Sequence, residues 1–506
     1  MSDRALPPET TLGPEPALAP DFGQQVRRAV IWRSASQIAG QVIAWASTFL
    51  VIRILTPEDY GLFALTQVML MLFTLLNGYG LASAAIQRAE IGRHELRQIF
   101  GLLLLLNGAL AVIQILCAPL AAAYYRQPMV AELLRVQSLI YLTIPFSALA
   151  YAQLARSMEF RRQAQVNLVS ALIGAGVALG GALAGWGVWA LVWAPIAMFT
   201  TRALGLTIAA RSWLWPSFDF RGAGSIAQYG GLIAVGQFFG FVQSQADILV
   251  AGRWFEAHLV GIYTTALLLT QIFNNKIVPP LNEVAFAAYA RMQDDRPALA
   301  AGFIRSTRAI MVAAMPFFFG LAAVAEPLVL TLLGEKWREI VPLLLPLALA
   351  MPFWTLFTLL RPATDALGRP GIASGNAAAG ALLMPLIFLV GARWGIMGIA
   401  WAWLVAYPLL LAFSAARSMP VIGVHAIELI RAILPPVLAA AVMAAAVMLV
   451  DSLLPALPQP MRLAVLVATG APIYCLWLAL FARGTVRDLI DLVRGRRVPV
   501  VPEPAA

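Results

Sequence analysis

The stretch Gln37 to Gly61, QIAGQVIAWASTFLVIRILTPEDYG, returns two hundred residues later as Gln237 to Gly261, QFFGFVQSQADILVAGRWFEAHLVG. Gln37, Gly40, Val42, Ala46, Arg53 and Gly61 align with Gln237, Gly240, Val242, Ala246, Arg253 and Gly261. Farther along the offset becomes 208: Pro119 pairs with Pro327, Arg161 with Arg369, and Trp186, Gly187 and Trp193 with Trp394, Gly395 and Trp401. One insertion therefore lies between Gly61 and Pro119 or between their copies. Matched Leu and Ala are cheap in an apolar chain, but matched Arg, Gln, Trp and Gly are not. The chain is a duplicated half, and two related membrane halves usually enclose a site between them.

Of 506 residues 61% are hydrophobic and 12% charged, and the mean hydropathy is +0.80. A soluble globular chain has no core large enough to hide that. The pattern predicts an all-α polytopic membrane protein with about fourteen spanning segments, from Val30–Ile54 to Leu463–Phe481. Residues 1–25 read as a disordered cytoplasmic tail, with no hydrophobic run that would mark a signal peptide. Residues 26–215 form an expected N-terminal six-helix lobe, 216–420 a C-terminal one, and 421–484 two additional helices without a copy. Residues 485–506 close the chain as an amphipathic cytoplasmic tail, with Val486, Leu489, Ile490 and Val493 on one side. An even number of spans per half makes the repeat parallel, related by a pseudo-twofold along the membrane normal.

Basic residues alternate between sides. Of the 35 Lys and Arg, 26 fall on one side and eight on the other, with Lys276 inside a span. The basic side is expected in the cytoplasm together with both termini. The net charge of +10 thus reports orientation and attraction to anionic headgroups, not nucleic-acid binding.

Polar side chains in the spans are costly in hydrocarbon and point to function or to pairing. Arg33, Gln37 and Gln41 recur at i, i+4 and i+8 on one face of the first helix. In the seventh span Gln243 and Asp247 are four apart, with Gln245 off their face. The eighth carries Gln271, Asn274, Asn275 and Lys276, and its hydrogen bonding must break at Pro279 and Pro280. These faces suggest a shared wet cavity. The plainer reading makes Arg33, Arg53, Arg253 and Lys276 snorkelling anchors and the glutamines helix–helix hydrogen bonds. Asp247 and Lys276, at different depths, are not expected to pair with each other.

Catalysis finds little footing. His94, His258 and His425 are dispersed, Cys117 and Cys475 sit in apolar spans, and no metal-ligand spacing, nucleophile grouping or ATP-binding Gly-Lys-Ser loop occurs. The expectation is no cofactor, no metal and no enzymatic activity.

The segments Ile54-Leu-Thr-Pro-Glu-Asp-Tyr-Gly-Leu-Phe-Ala64 and its copy Trp254 to Thr264, Met158-Glu-Phe-Arg161, Leu367-Gly-Arg369, Ala290-Arg-Met-Gln-Asp-Asp295 and Leu333-Gly-Glu-Lys-Trp337 together resemble the Wzx-type polysaccharide transporters of the multidrug/oligosaccharidyl-lipid/polysaccharide flippase superfamily. The resemblance runs from about Val30 to the last helices. It implies a V of two six-helix lobes, MATE-like, plus two C-terminal helices. It also implies passage of undecaprenyl-diphosphate-linked oligosaccharide repeat units across the bacterial inner membrane for exopolysaccharide or lipopolysaccharide synthesis, beside polymerase and export proteins.

From position and chemistry, Arg33, Lys276 and Arg361 are candidates to meet the diphosphate, and Gln37, Gln41, Gln243, Asn274 and Asn275 the sugar hydroxyls. Asp247 is the candidate coupling site for H+ or Na+. Two other readings compete. A multidrug or metabolite antiporter of the same fold would favour an acidic cavity, against the weight of Arg33 and Lys276. A membrane glycan polymerase or ligase would need a larger extramembrane loop than any here.

Overall fold

The computed structural model describes residues 45–78, 92–157, 159–219 and 224–484, with side chains of the last segment described from 237 onward. All regular structure among them is helical. The first repeat holds α1 (Trp45–Ile54), α2 (Pro57–Thr74), α3 (Arg93–Tyr125), α4 (Pro128–Gln137), α5 (Leu139–Arg156), α6 (Phe160–Leu183) and α7 (Val188–Ala210). The second holds α8 (Gly224–Trp254), α9 (Ala257–Lys276), α10 (Val278–Arg291), α11 (Arg296–Ala323), α12 (Ala325–Leu332), a 3-10 turn Glu335–Ile340, α13 (Val341–Ala366), α14 (Pro370–Gly391) and α15 (Gly395–Ile422). The last two helices are α16 (Ala426–Leu453) and α17 (Gln459–Phe481).

Among the described residues nine stretches are long and apolar enough to cross a membrane. One of them, Pro370–Ile422, has 53 residues. That is roughly 80 Å if straight, more than twice the hydrocarbon thickness, and it instead doubles back after α14. Trp394-Gly395 makes that reversal with Gly395 at φ +76, and its copy Trp186-Gly187 makes the α6–α7 reversal with Gly187 at φ +56. Only glycine takes that conformation without strain, which is why the duplication kept it twice. α3 and α12 likewise end at equivalent positions, Arg126 at φ 57 and Gly334 at φ 95. The expected break at the proline pair is present: α9 stops at Lys276, and α10 restarts at Val278.

α2 opens with a capping box, Thr56 Oγ1 accepting from the Asp59 amide and Asp59 accepting from the Thr56 amide, an arrangement that stabilises a helix start by about 1 kcal/mol. One turn in, α2 crosses α9. A Cβ on Gly61 would land on the carbonyl oxygen of Ala257, and a Cβ on Gly261 would land on that of Pro57. Pro57 and Gly61 are the sequence copies of Ala257 and Gly261, so the contact is the same patch meeting itself. Farther along α2, Gly252 of α8 is seated on Leu65 and Gln245 of α8 reaches Met71. Thus α2 runs antiparallel to α8 and therefore parallel to α9, as a parallel repeat requires.

The repeats also hold each other beyond this crossing. Trp337 Nε1 donates to the Ile52 carbonyl (2.9 Å) and Lys336 Nζ to that of Ile54 (2.7 Å), so the 3-10 turn of the second repeat caps the exposed carbonyls ending α1. Arg53 Nη1 donates to the Thr331 carbonyl at the end of α12 (2.9 Å). Its copy Arg253 lies 5.8 Å over the ring of Tyr124, at the end of α3. α16 and α17 attach to the second repeat, where Arg462 pairs with Asp451 (2.6 Å) and Glu326 (3.2 Å) and Tyr474 donates to the Val312 carbonyl (2.8 Å). The tails 1–25 and 485–506 lie outside the described residues.

Gly61→Ala and Gly261→Ala should each destabilise the purified protein by about 1–3 kcal/mol, because the added methyl meets backbone that cannot yield locally. Gly180→Ala, whose methyl would have nothing within 4 Å, should be neutral or stabilising. Thermal unfolding in detergent checks this, and equal melting of all three variants would remove the glycine crossing as a constraint.

Candidate functional site

Farther along α2 and α9 from the glycine crossing lies a cavity of about 590 Å³ between the two repeats. Its first-repeat wall comes from α2 (Tyr60, Phe63, Gln67, Thr74), α5 (Ile140, Ile144) and α7 (Pro195, Phe199), and its second-repeat wall from α8 (Gln245, Ile248) and α9 (Thr264, Thr265, Leu268). Among the described lining residues none is charged. Several of its polar groups are unsatisfied. Thr265 is 1% exposed and its hydroxyl has no hydrogen-bond partner. The Gln245 amide donates only to the Met71 sulfur (3.3 Å), a weak acceptor. The Gln67 amide has no partner among the described residues.

Gln243 and Asp247, the polar pair four apart, lie on the other face of α8. Gln243 is half-buried and its side chain fills the space over Gly380 of α14. Asp247, 2% exposed, accepts from the Tyr263 hydroxyl (2.8 Å), whose oxygen in turn accepts from Trp403 Nε1 (2.6 Å). Tyr407 stacks on Trp403 with ring centroids 4.9 Å apart. Asp247 thus sits in an aromatic, hydrogen-bonded niche joining α8, α9 and α15, with no ion pair among the described residues. Gln245, set aside as off the polar face, is the α8 amide that lines the cavity. The face chosen from sequence packs inside the second repeat.

Asn274 is buried and clamps α9 to α13, accepting from Thr355 Oγ1 (2.6 Å) and lying near the Met351 carbonyl (3.5 Å). Asn275 and Lys276 are exposed, and Asn275 donates to Gln271 at 3.4 Å. Arg361 is exposed and paired with Asp365 (3.2 Å). Successive contacts His258–Glu339, Asn274–Thr355 and Asn282–Thr358 show α9 and α13 running the same way. Lys276 and Arg361 therefore lie toward the same end of that pair. Tyr263, the partner of Asp247, precedes Lys276 by thirteen residues, on the order of 20 Å along α9, so the two charges are apart, as expected. Arg33, Gln37 and Gln41 lie outside the described residues.

Three amides missed from sequence are structural. Gln114 donates to the Leu134 carbonyl (2.7 Å) and accepts from Tyr141 (2.8 Å), Gln137 donates to Thr66 (3.0 Å), and Asn107 donates to the Asn77 carbonyl (3.0 Å). Interhelical bonds of this kind fix the packing of α2 to α5.

The profile of the family described as Polysaccharide biosynthesis protein matches residues 50–342. The chain is 26% identical over 489 residues to the succinoglycan biosynthesis transport protein ExoT of Rhizobium meliloti (strain 1021), covering 95% of this chain and 98% of that one. It is 26% identical over 304 residues to the lipopolysaccharide biosynthesis protein WzxC of Escherichia coli (strain K12), covering 58% and 60%. In fold it is similar to the lipid II flippase MurJ in an inward closed conformation, with a TM-score of 0.75 at 13% identity over 90% of this chain and 100% of that one. An inward-facing multidrug resistance MATE family transporter of the MOP superfamily superposes with a TM-score of 0.58 at 16% identity, over 79% and 100%. The all-helical class expected from the hydrophobic pattern and the MATE-like fold that the family resemblance implied are the ones found.

With Cys117 and Cys475 replaced, Gln245→Cys should react with a membrane-impermeant maleimide in inside-out vesicles, and Gln243→Cys should be protected by its seat on α14. Mass-shift labelling reads the two rates. The reverse order would put the wet face of α8 where the sequence reading had it.

Proposed function

The chain belongs to the polysaccharide biosynthesis protein family, and from that membership we propose that it is a flippase moving undecaprenyl-diphosphate-linked oligosaccharide repeat units to the outer leaflet of the bacterial inner membrane. The observation that carries this reading is the similarity, over nearly the full length of both chains, to a succinoglycan biosynthesis transport protein. A cavity walled by residues of both repeats suits alternating access, in which two six-helix lobes, 26–215 and 216–420, rock about the fixed glycine crossing. The uneven distribution of basic residues supports cytoplasmic termini. The described part of the cavity lining carries no acidic side chain, so it adds no support to the antiporter reading.

Within this proposal, Lys276 and Arg361, near the same end of α9 and α13, receive the diphosphate on the cytoplasmic side together with Arg33, since cations and phosphate form charge-assisted hydrogen bonds. Asp247 is the seat of the coupling proton or Na+. Taking up a cation there removes a buried negative charge from a niche that touches α8, α9 and α15 at once, and so shifts the balance between lobe arrangements. Asn274 contributes by holding α9 to α13, and Asn275, Gln37 and Gln41 remain candidate contacts for hydroxyls, whereas Gln243 is seated over Gly380 of α14. A polymerase or other export protein is the expected receiver on the outer side.

Deleting the gene should accumulate the lipid-linked repeat unit on the inner leaflet, as read by mass spectrometry of extracted lipids. In proteoliposomes, Asp247→Asn should abolish the response of translocation to an imposed ion gradient while leaving glycan-lipid binding. Lys276→Gln should weaken that binding by about tenfold or more, the loss of about one charge-assisted bond. Gradient-driven flipping at the normal rate in Asp247→Asn, with normal protein levels, would sink the coupling role.

A further inference from the structure

Residues 211–219 lead from the end of α7 toward α8 and so join the two repeats. They lie against the start of α3. Arg97 Nε donates to the Trp215 carbonyl (2.9 Å), the Ser217 amide donates to the Arg97 carbonyl (2.9 Å), and Gln98 Nε2 donates to the Asp219 carbonyl (2.8 Å). The two backbones touch at Gly101, where a Cβ would stand 2.1 Å from the Ser217 carbonyl oxygen. The joint is therefore seated on the first repeat, and its height along α3 is fixed.

That height shows on both helices beside it. On α3 the basic residues Arg93 and Arg97 give way to an apolar run that begins at Ile99. On α7 the apolar side chains of Leu204 and Ile208 are 60% and 64% exposed, and Arg211 follows them. In a chain that spans a membrane, this change from apolar to cationic marks the boundary between hydrocarbon and headgroups.

At this boundary the joint turns its largest side chains outward. Exposure alternates as in an extended chain, with Arg211, Trp213 and Trp215 exposed and Ser212 and Leu214 half-buried. Trp213 is 76% and Trp215 82% exposed. An indole has an apolar body and one N–H donor, which suits a place where acyl carbons meet phosphate and glycerol oxygens. Arg93, Arg97 and Arg211 are exposed around the two rings. Of the nearby acidic side chains, Glu95 is engaged by the Gly92 amide at the start of α3, and Asp219 lies at the far end of the joint.

We propose that the joint 211–219 is a binding site for an anionic phospholipid. Arg97 and Arg211 receive the phosphate through charge-assisted N–H bonds, and Trp213 and Trp215 cover the glycerol and the first acyl carbons. The proposal is independent of what the chain carries across the membrane. It places a lipid at the covalent joint between the repeats, bound to the first of them.

The full chain is measured by native mass spectrometry with added phosphatidylglycerol or phosphatidylcholine, and by melting in detergent and in nanodiscs of either lipid. Phosphatidylglycerol should be retained in preference and should raise the melting temperature above that in phosphatidylcholine. Arg211→Asn keeps a residue that tolerates φ 51 and should lower phosphatidylglycerol retention about fivefold, the share of one arginine near an anionic surface. Arg431→Gln, at an exposed arginine of α16, should leave retention unchanged. Trp213→Ser combined with Trp215→Ser should lower retention of both lipids and leave the melting temperature in detergent at the wild-type value. Equal retention of the two lipids by the wild type, or an equal loss in Arg431→Gln, overturns the site. A tryptophan variant that melts lower in detergent or fails to fold also overturns it, since the rings would then pack on protein. So do wild-type dimers that the tryptophan variant converts to monomers, which would make this surface a contact between two copies of the chain.

Discussion

Two glycines in van der Waals register hold the two repeats at their closest approach, and most of the architecture answers to that distance. Gly61 and Gly261 let α2 and α9 meet backbone to backbone, each against the carbonyl four residues before the other. In lipid there is no hydrophobic force to push helices together, so close packing of small residues takes its place. Next along the same helices come the bulkier Phe63, Gln67 and Leu268, which line the cavity.

The polar residues divide by whether their bonds are complete. Asn274 with Thr355, Gln114 with Tyr141 and Leu134, and Asp247 with Tyr263 and Trp403 have partners inside the protein, and each joins helices that pack together. The Thr265 hydroxyl has no partner among the described residues, and Gln245 has the weakly accepting Met71 sulfur. An incomplete bond at a wall between two movable bodies is a place for something that arrives and leaves. A complete one inside a single repeat fixes a shape. Asp247 is unusual in belonging to the second class although its side chain is a carboxyl group.

The fold was legible because duplication leaves marks that composition cannot imitate: Gly187 and Gly395 recur since both reversals need φ > 0, and Gly61 and Gly261 recur since both sit at the crossing. The break after Lys276 was legible from Pro279 and Pro280 for an equally local reason. The cavity was not. Spacing along α8 identifies Gln243 and Asp247 as one face, but not which neighbour that face meets, and the answer depends on Gly380 of α14 and Tyr263 of α9. One clue was available, since Gln245 stood alone opposite a packed polar pair. Gln67 and Thr265 look like ordinary span residues, and only the three-dimensional gap beside them distinguishes them.

The arginines that close α1 and α8 are copies of each other, yet neither turns to its own repeat. Arg53 serves the end of α12 and Arg253 the ring at the end of α3. Such an exchange has the pattern left by two identical subunits that once clasped each other and were later joined into one polypeptide. The fused form frees each copy to change on its own. The Arg53 contact has become a hydrogen bond reinforced by Lys336 and Trp337, while the Arg253 contact is a cation on an aromatic face with its Nη1 left without a hydrogen-bond partner. A symmetric pair would hold both sides alike; this chain holds one side by side-chain bonds to carbonyls and the other by a cation on a ring whose hydroxyl reaches the Leu249 carbonyl.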